Sequence, residues 1–221
     1  MGDVSGGLPI GDVLVPDGDG AVLYFDTETT GTEATDRVCE IGAVLWRGGR
    51  SVGRFHSYVR PGIPVNPEAI RVHGLTDEFL ADAPSMEEVW PRFLEFVGGR
   101  TLHAHNAAFD RRLTRQSLTT PWEPPMVCTL RLARGVLGST VPCGIDALLK
   151  RFGVGKTRGK HSAVEDCELL ACVVDELTAQ HNLLPESHTT GISDHPVQPR
   201  HHVWNVPHRT YPPTTPTTAE P

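Results

Sequence analysis

The stretch YFDTETTG, residues 24–31, constrains this chain more than any other. With the residues before it, AVLYF, it reads as a buried strand of apolar and aromatic residues. Asp26 and Glu28 stand two positions apart inside it, and residues i and i+2 of a strand point to one face. Two negative charges side by side at the edge of an apolar core are costly unless a cation neutralises them. The pair therefore has to be holding something positive.

The rest of the chain supplies a domain around that strand. VCEIGAVLWRGGRSVGRFHSYVRP reads as a hairpin turning at Gly48-Gly49, which with the first strand predicts an antiparallel meander. NPEAIRVHG is a short helix with Pro67 at its first position and Gly74 as its stop. PSMEEVWPRFLEFVGG has helical apolar spacing, with a bend expected at Pro91. RTLHAHN is a short strand, and AAFDRRLTRQSL a helix capped by Asn106. CTLRLARGVL and IDALLKRFG are further helices, and SAVEDCELLACVVDELTAQH is the last long one. Strands first, then strands and helices mixed, predict an α/β domain: a mixed sheet with strands 1–3 antiparallel and parallel strands added, flanked by helices. Residues 1–20 read as a flexible lead-in, 21–184 as the domain, and 185–221 as a disordered tail rich in Pro, Thr and His.

Bulk properties narrow the class. No apolar run is long enough for a membrane span, and the N-terminus lacks the basic and apolar regions of a secretory signal. Gly6 stands where a myristoylation signal needs Ser or Thr. Five scattered cysteines without a CxxC pair read as reduced thiols in a cytoplasmic protein, not as a zinc site. The net charge is −7, yet residues 111–160 hold ten of the twenty Lys and Arg against only Glu123 and Asp146. Such a local basic region can guide a polyanion, although a solvated charged face would look the same.

Two further segments carry chemistry. In HAHNAAFDRRL, Asp110 lies one turn into a helix that starts just after a strand, where sites in α/β folds collect. In GKHSAVEDCELL, Ser162 and Glu165 form a capping-box pattern that makes Ser162 the N-cap. His161 before the cap and Asp166 at the fourth helical residue then occupy the two positions that meet in a hydrophobic staple. Asp26, Glu28, Asp110 and Asp166 together offer only oxygen ligands, which suit Mg²⁺ or Mn²⁺. Four acids exceed the needs of one ion, and two ions about 4 Å apart clamp a phosphoryl group undergoing in-line displacement. His161 suits the general base that takes a proton from water.

FDTETTG, HNAAFD and HSAVED, in this order and spacing, resemble the three motifs of the DEDDh class of 3′→5′ exonucleases, in the RNase H-like superfamily. The likeness is to the proofreading epsilon subunit of bacterial DNA polymerase III and its stand-alone relatives, and it covers about residues 21–184. IRVHGLTDEFLADAPSMEEV, CTLRLAR and IDALLKRFG add to it, and His161 separates this class from relatives with Tyr there. The resemblance implies two Mg²⁺ or Mn²⁺ ions. Asp26 would bridge both, Glu28 and Asp166 would hold the one that activates water, Asp110 the other, and His161 would be the base. Thr27, Thr29, His73, Asn106 and Phe109 would line the pocket for the terminal nucleotide, with Phe109 packing on a sugar or base. The implied substrate is a single-stranded DNA 3′ end cut to 5′-mononucleotides in proofreading or repair, with a DNA polymerase or sliding clamp as protein partner.

An exoribonuclease of the same class and a non-catalytic accessory subunit for nucleic acid or polymerase remain the alternatives. Several features read blandly. Glu40 matches no metal position and is structural, and His105 is a satisfied strand-end residue. GVGKT at 153–157 lacks the leading glycine and strand of a phosphate loop. The tail histidines show no ligand spacing. QHNLL at 180–184 loosely resembles a clamp-docking peptide but reads as an ordinary helix end.

Overall fold

The computed structural model describes residues 19–119, 124–155, 159–181 and 204–205. Most of the lead-in and tail, with the tail histidines, lies outside these residues, as do Lys156–Arg158 of the GVGKT loop and the last three residues of QHNLL.

Strand β1 (Val22–Thr29) alternates its side chains between two apolar layers. Leu23 and Phe25 enter one core cluster, while Tyr24 enters the other. β2 (Val38–Arg47) and β3 (Arg50–Tyr58) form the expected hairpin. Its turn puts Gly48 at φ 57° and Gly49 at φ 76°, left-handed angles that cost glycine nothing. β1 pairs antiparallel with β2, and β2 with β3. β4 (Leu102–Ala104) runs parallel to β1, and β5 (Met126–Cys128) parallel to β4. The sheet order is β5-β4-β1-β2-β3-β6, in which the two-residue β6 (Trp204–Asn205) lies parallel to β3. The mixed α/β sheet read from the sequence is thus present. β5 was not expected: three residues flanked by a Pro-rich connection and a helix carry too little alternation to register as a strand.

Helices cover both faces. α1 (Pro67–His73) and α2 (Asp77–Leu80) close a small cluster around Tyr58, Leu75 and Leu80. α3 (Met86–Val97) and α4 (Ala107–Ser117) pack on the Leu23–Phe25 face, with Phe93 in ring contact with Phe25 and Phe55. α3 continues as one helix through Pro91, which lies on its exposed side. The backbone carbonyl that Pro91 cannot serve is one a solvated face can give to water. α5 (Thr129–Leu137), α6 (Ile145–Phe152) and α7 (Ala163–Gln180) cover the Tyr24 face. Among the described residues no helix is long and apolar enough to cross a membrane, and no disulfide joins the five cysteines.

One residue sets how closely α7 approaches the sheet. Gly42 pairs with Asp26 across β1 and β2, and the first turn of α7 lies directly on it. A Cβ at Gly42 would sit 2.3 Å from the Ala163 carbonyl carbon and 2.4 Å from the Val164 nitrogen. Both are backbone atoms, so no side-chain rotation relieves the clash. Gly42→Ala is expected to cost about 1–3 kcal/mol by overpacking. It should lower the denaturant midpoint at an unchanged slope, and it should displace the helix start that carries His161 and Asp166.

Candidate active site

The site lies at the C-terminal ends of β1 and β4, the place where open α/β sheets expose loops and helix starts to a ligand. β1 ends in an irregular register between Glu28 and Thr29, a bulge that re-aims its last side chains. Asp26 is half-buried and Glu28 buried, both on the face toward α7. Glu28 stands directly opposite Glu40 on β2, and like charges in that position repel.

Glu40 is 0% exposed and occupied structurally, as read from the sequence. The His56 ring donates from Nε2 to Glu40 Oε1 at 2.9 Å, and Ser162 Oγ donates to the same oxygen at 3.1 Å. Ser162 is therefore the N-cap of α7 by position, but the expected capping box is not formed by its side chain. Its side chain is turned to donate to the buried Glu40 carboxylate, a charge-assisted bond, and its oxygen accepts from no amide of the first turn. The flanking pair still meets: His161 Nδ1 lies 3.8 Å from Asp166 Oδ2, with the imidazole 33% and the carboxylate 1% exposed. Among the described residues, Glu28, His161 and Asp166 form a group whose ligand atoms all lie within 4.8 Å of one another.

Asp110 comes from the opposite layer. α4 packs on the Phe25 face, and Thr27, which points that way, donates from Oγ1 to Asp110 Oδ1 at 2.9 Å. Asp110 is 2% exposed, and burial pushes its carboxyl up from 3.8 to about 7 against the pull of that hydrogen bond. Asn106 does precede α4, but its side chain makes no capping bond. Its backbone is left-handed at φ 67°, so the chain turns too sharply from β4 for the usual extended cap, and the side chain is exposed. Phe109 is half-buried, with the Arg112 guanidinium 5.5 Å from its ring centre.

The other expected pocket residues sit close by, with their polar atoms already engaged. Thr29 Oγ1 donates to the Gly31 carbonyl at 2.7 Å. His73 is 1% exposed; its Nε2 donates to the Thr29 carbonyl at 3.1 Å, and its Nδ1 accepts from the Leu75 amide at 3.0 Å. That arrangement requires the neutral ring, in keeping with burial that lowers its pKa. His105 is satisfied as read from the sequence, donating from Nε2 to the Cys143 carbonyl at 2.8 Å.

Two residues at the centre escaped the sequence reading. Cys167 is 0% exposed, and burial, then the charges of Asp26, Asp166, Asp110 and Glu40, push its thiol well above the ordinary range. Acids from β1, β2, α4 and α7 thus surround one point. Gly42 is the second, and a glycine inside a strand pattern is a signal of close backbone approach. Carboxylates with one imidazole make a donor set that fits a hard divalent cation.

The raised Asp110 carboxyl gives a testable pH dependence. Its folded pKa exceeds its unfolded value, so the native state binds the extra proton between 3.8 and about 7. Metal-free protein should lose stability as pH climbs through that window, with the whole cost present above it. Thermal melts of Asp110→Asn without metal should show a higher midpoint than wild type above neutrality and no advantage near pH 4. Added Mn²⁺ should raise the wild-type midpoint more than that of Asp110→Asn.

Residues 23–174 match the family described as Exonuclease. The chain is 36% identical over 171 residues to the DNA polymerase III subunit epsilon of Pasteurella multocida, covering 71% of this chain and 67% of that protein. It is 34% identical over 161 residues to a PolC-type DNA polymerase III of Thermotoga maritima, covering 71% of this chain but only 12% of that polymerase. A solved structure of exonuclease X in complex with 5′ overhanging duplex DNA superposes with a TM-score of 0.60 at 31% identity, over 73% of this chain and 93% of that one. With its acids, its histidine and its sheet in the places described, the chain belongs to the DEDDh exonuclease family of RNase H-like fold.

Proposed function

We propose that the protein is a divalent-metal-dependent 3′→5′ exonuclease that hydrolyses single-stranded DNA from its 3′ end to 5′-mononucleotides. The observation that carries this reading is the convergence of Glu28, His161 and Asp166 within 4.8 Å, beside an Asp110 held in place by Thr27. Asp26, Glu28, Asp110 and Asp166 would hold two Mg²⁺ or Mn²⁺ ions, which supply positive charge to the phosphodiester and lower the pKa of water. His161 is the imidazole of the cluster, the side-chain type suited to proton transfer near neutral pH, and a third of it is exposed, so it takes the proton from the attacking water. Asp166, buried against Nδ1, stabilises the imidazolium that forms. Thr27 fixes the rotamer of Asp110, while His73 holds the Thr29 carbonyl and with it the floor of the terminal-nucleotide pocket. Similarity to epsilon and PolC-type polymerase III proteins favours DNA as substrate and replication or repair as setting.

Labelled single-stranded DNA incubated with Mn²⁺ should shorten stepwise from its 3′ end and release 5′-mononucleotides. Asp26→Ala should abolish this while leaving the melting profile intact. His161→Ala should reduce kcat about a hundred- to ten-thousandfold, with Mn²⁺ binding retained by calorimetry. An inert wild type, under conditions where a relative digests the same strand, would overturn the assignment in favour of a binding subunit. Matched RNA and DNA oligomers decide the sugar: faster RNA cleavage would reassign the substrate.

A further inference from the structure

A groove of about 600 Å³ opens along the free edge of β5, between α4 on one face of the sheet and α5 on the other. It begins at Asn106 and Ala107, the start of the helix whose first turn carries Asp110. Arg111, Arg112 and Arg115 of α4 form one wall, and Arg131 and Arg134 of α5 the other. The floor is Met126, Cys128 and Leu130. No carboxylate lines it among the described residues. Five arginines line this one cleft, and on a chain of net charge −7 that concentration is the reverse of the average surface. Arg112 donates to the carbonyls of Glu33 and Thr32 at 3.0 and 2.9 Å, which ties this wall to the segment after β1.

We propose that this groove binds the single strand upstream of the 3′ terminus, its phosphates on the two arginine walls and its bases over the apolar floor. The inference rests on the exonuclease reading and adds to it a site for the part of the strand that is not being cut. Three features select a nucleic-acid strand over other anions. Arg111 and Arg115 lie four residues apart on one helix face, a rise of about 6 Å, comparable to the step between neighbouring phosphates of an extended strand. Guanidinium groups match phosphate oxygens in fork geometry. The floor offers apolar surface to base faces and few hydrogen-bonding groups to read them, so binding is insensitive to sequence. The groove begins at Asn106, which the resemblance assigns to the terminal-nucleotide pocket, so on that assignment one strand can run from the pocket into the groove without a break.

The test uses the full chain and the double variant Arg131→Ala/Arg134→Ala, both exposed and on a helix outside the metal cluster. The p-nitrophenyl ester of thymidine 5′-monophosphate touches only the metal site, and the double variant should hydrolyse it at the wild-type rate. With an oligonucleotide long enough to pass α5, the variant should show a KM raised about tenfold at unchanged kcat, and a salt dependence shallower by about 1.4 for two lost phosphate contacts. A dinucleotide should show no difference. Arg131→Lys/Arg134→Lys should recover part of the affinity. Fluorescence anisotropy of the long oligonucleotide in EDTA measures the groove apart from cleavage. If wild type binds and the variant does not, the groove stands even where wild type fails to cleave, which would sink the exonuclease reading alone. Equal KM for the long strand, equal loss on the ester, or displacement of the strand by polyglutamate as readily as by unlabelled oligonucleotide would each overturn the proposal.

Discussion

Everything at this site depends on holding carboxylates together against their own repulsion. Asp110, Asp166, Glu28 and Glu40 are nearly excluded from water, and Glu28 and Glu40 face each other across one strand pair. Thr27 bonds Asp110, Ser162 and His56 bond Glu40, and the His161 ring lies near Asp166. Glu40 Oε2 is buried without a hydrogen-bond partner among the described residues, so the arrangement is not fully compensated. A protein holds such a cluster because the scaffold is stable enough to bear it, and on the reading proposed above a bound cation would return the cost.

The scaffold bears it through two apolar layers that meet the sheet from opposite sides. The Tyr24 layer brings α7, and Gly42 lets its first turn lie against the strand backbone. The Phe25 layer brings α4. Asp166 and Asp110 therefore reach the end of β1 from different faces. Asp26 and Glu28 serve one face while Thr27, between them, serves the other by the period of two. The bulge after Glu28 and the left-handed turn at Asn106 sit at this junction, where regular geometry would aim side chains away.

Much of this was legible in the residues. Alternation in AVLYFDTE gave the strand and the shared face of Asp26 and Glu28, and the glycine pair at 48 and 49 gave the hairpin. Spacing alone brought His161 toward Asp166, because N′ and N4 of a helix start are neighbours whatever caps it. The strand β5 was not legible, since three residues hold no period. Nor was the diversion of Ser162, because the competitor for its hydroxyl lies 122 positions away. For His73 the resemblance implied a place in the pocket, and only the fold shows both ring nitrogens bonded to backbone groups.

The sequence by itself determined which groups the chain could bring to bear: an acid pair on one strand, two helix-borne acids, a histidine and a basic stretch. These follow from local period and local spacing, which need no knowledge of the rest of the chain. Tertiary structure alone decided which face each group reaches, which hydroxyl serves which acid, and that five arginines line one cleft across the edge of β5. Those outcomes turn on contacts between distant segments, and the packing of two helical layers around a twisted sheet sets them.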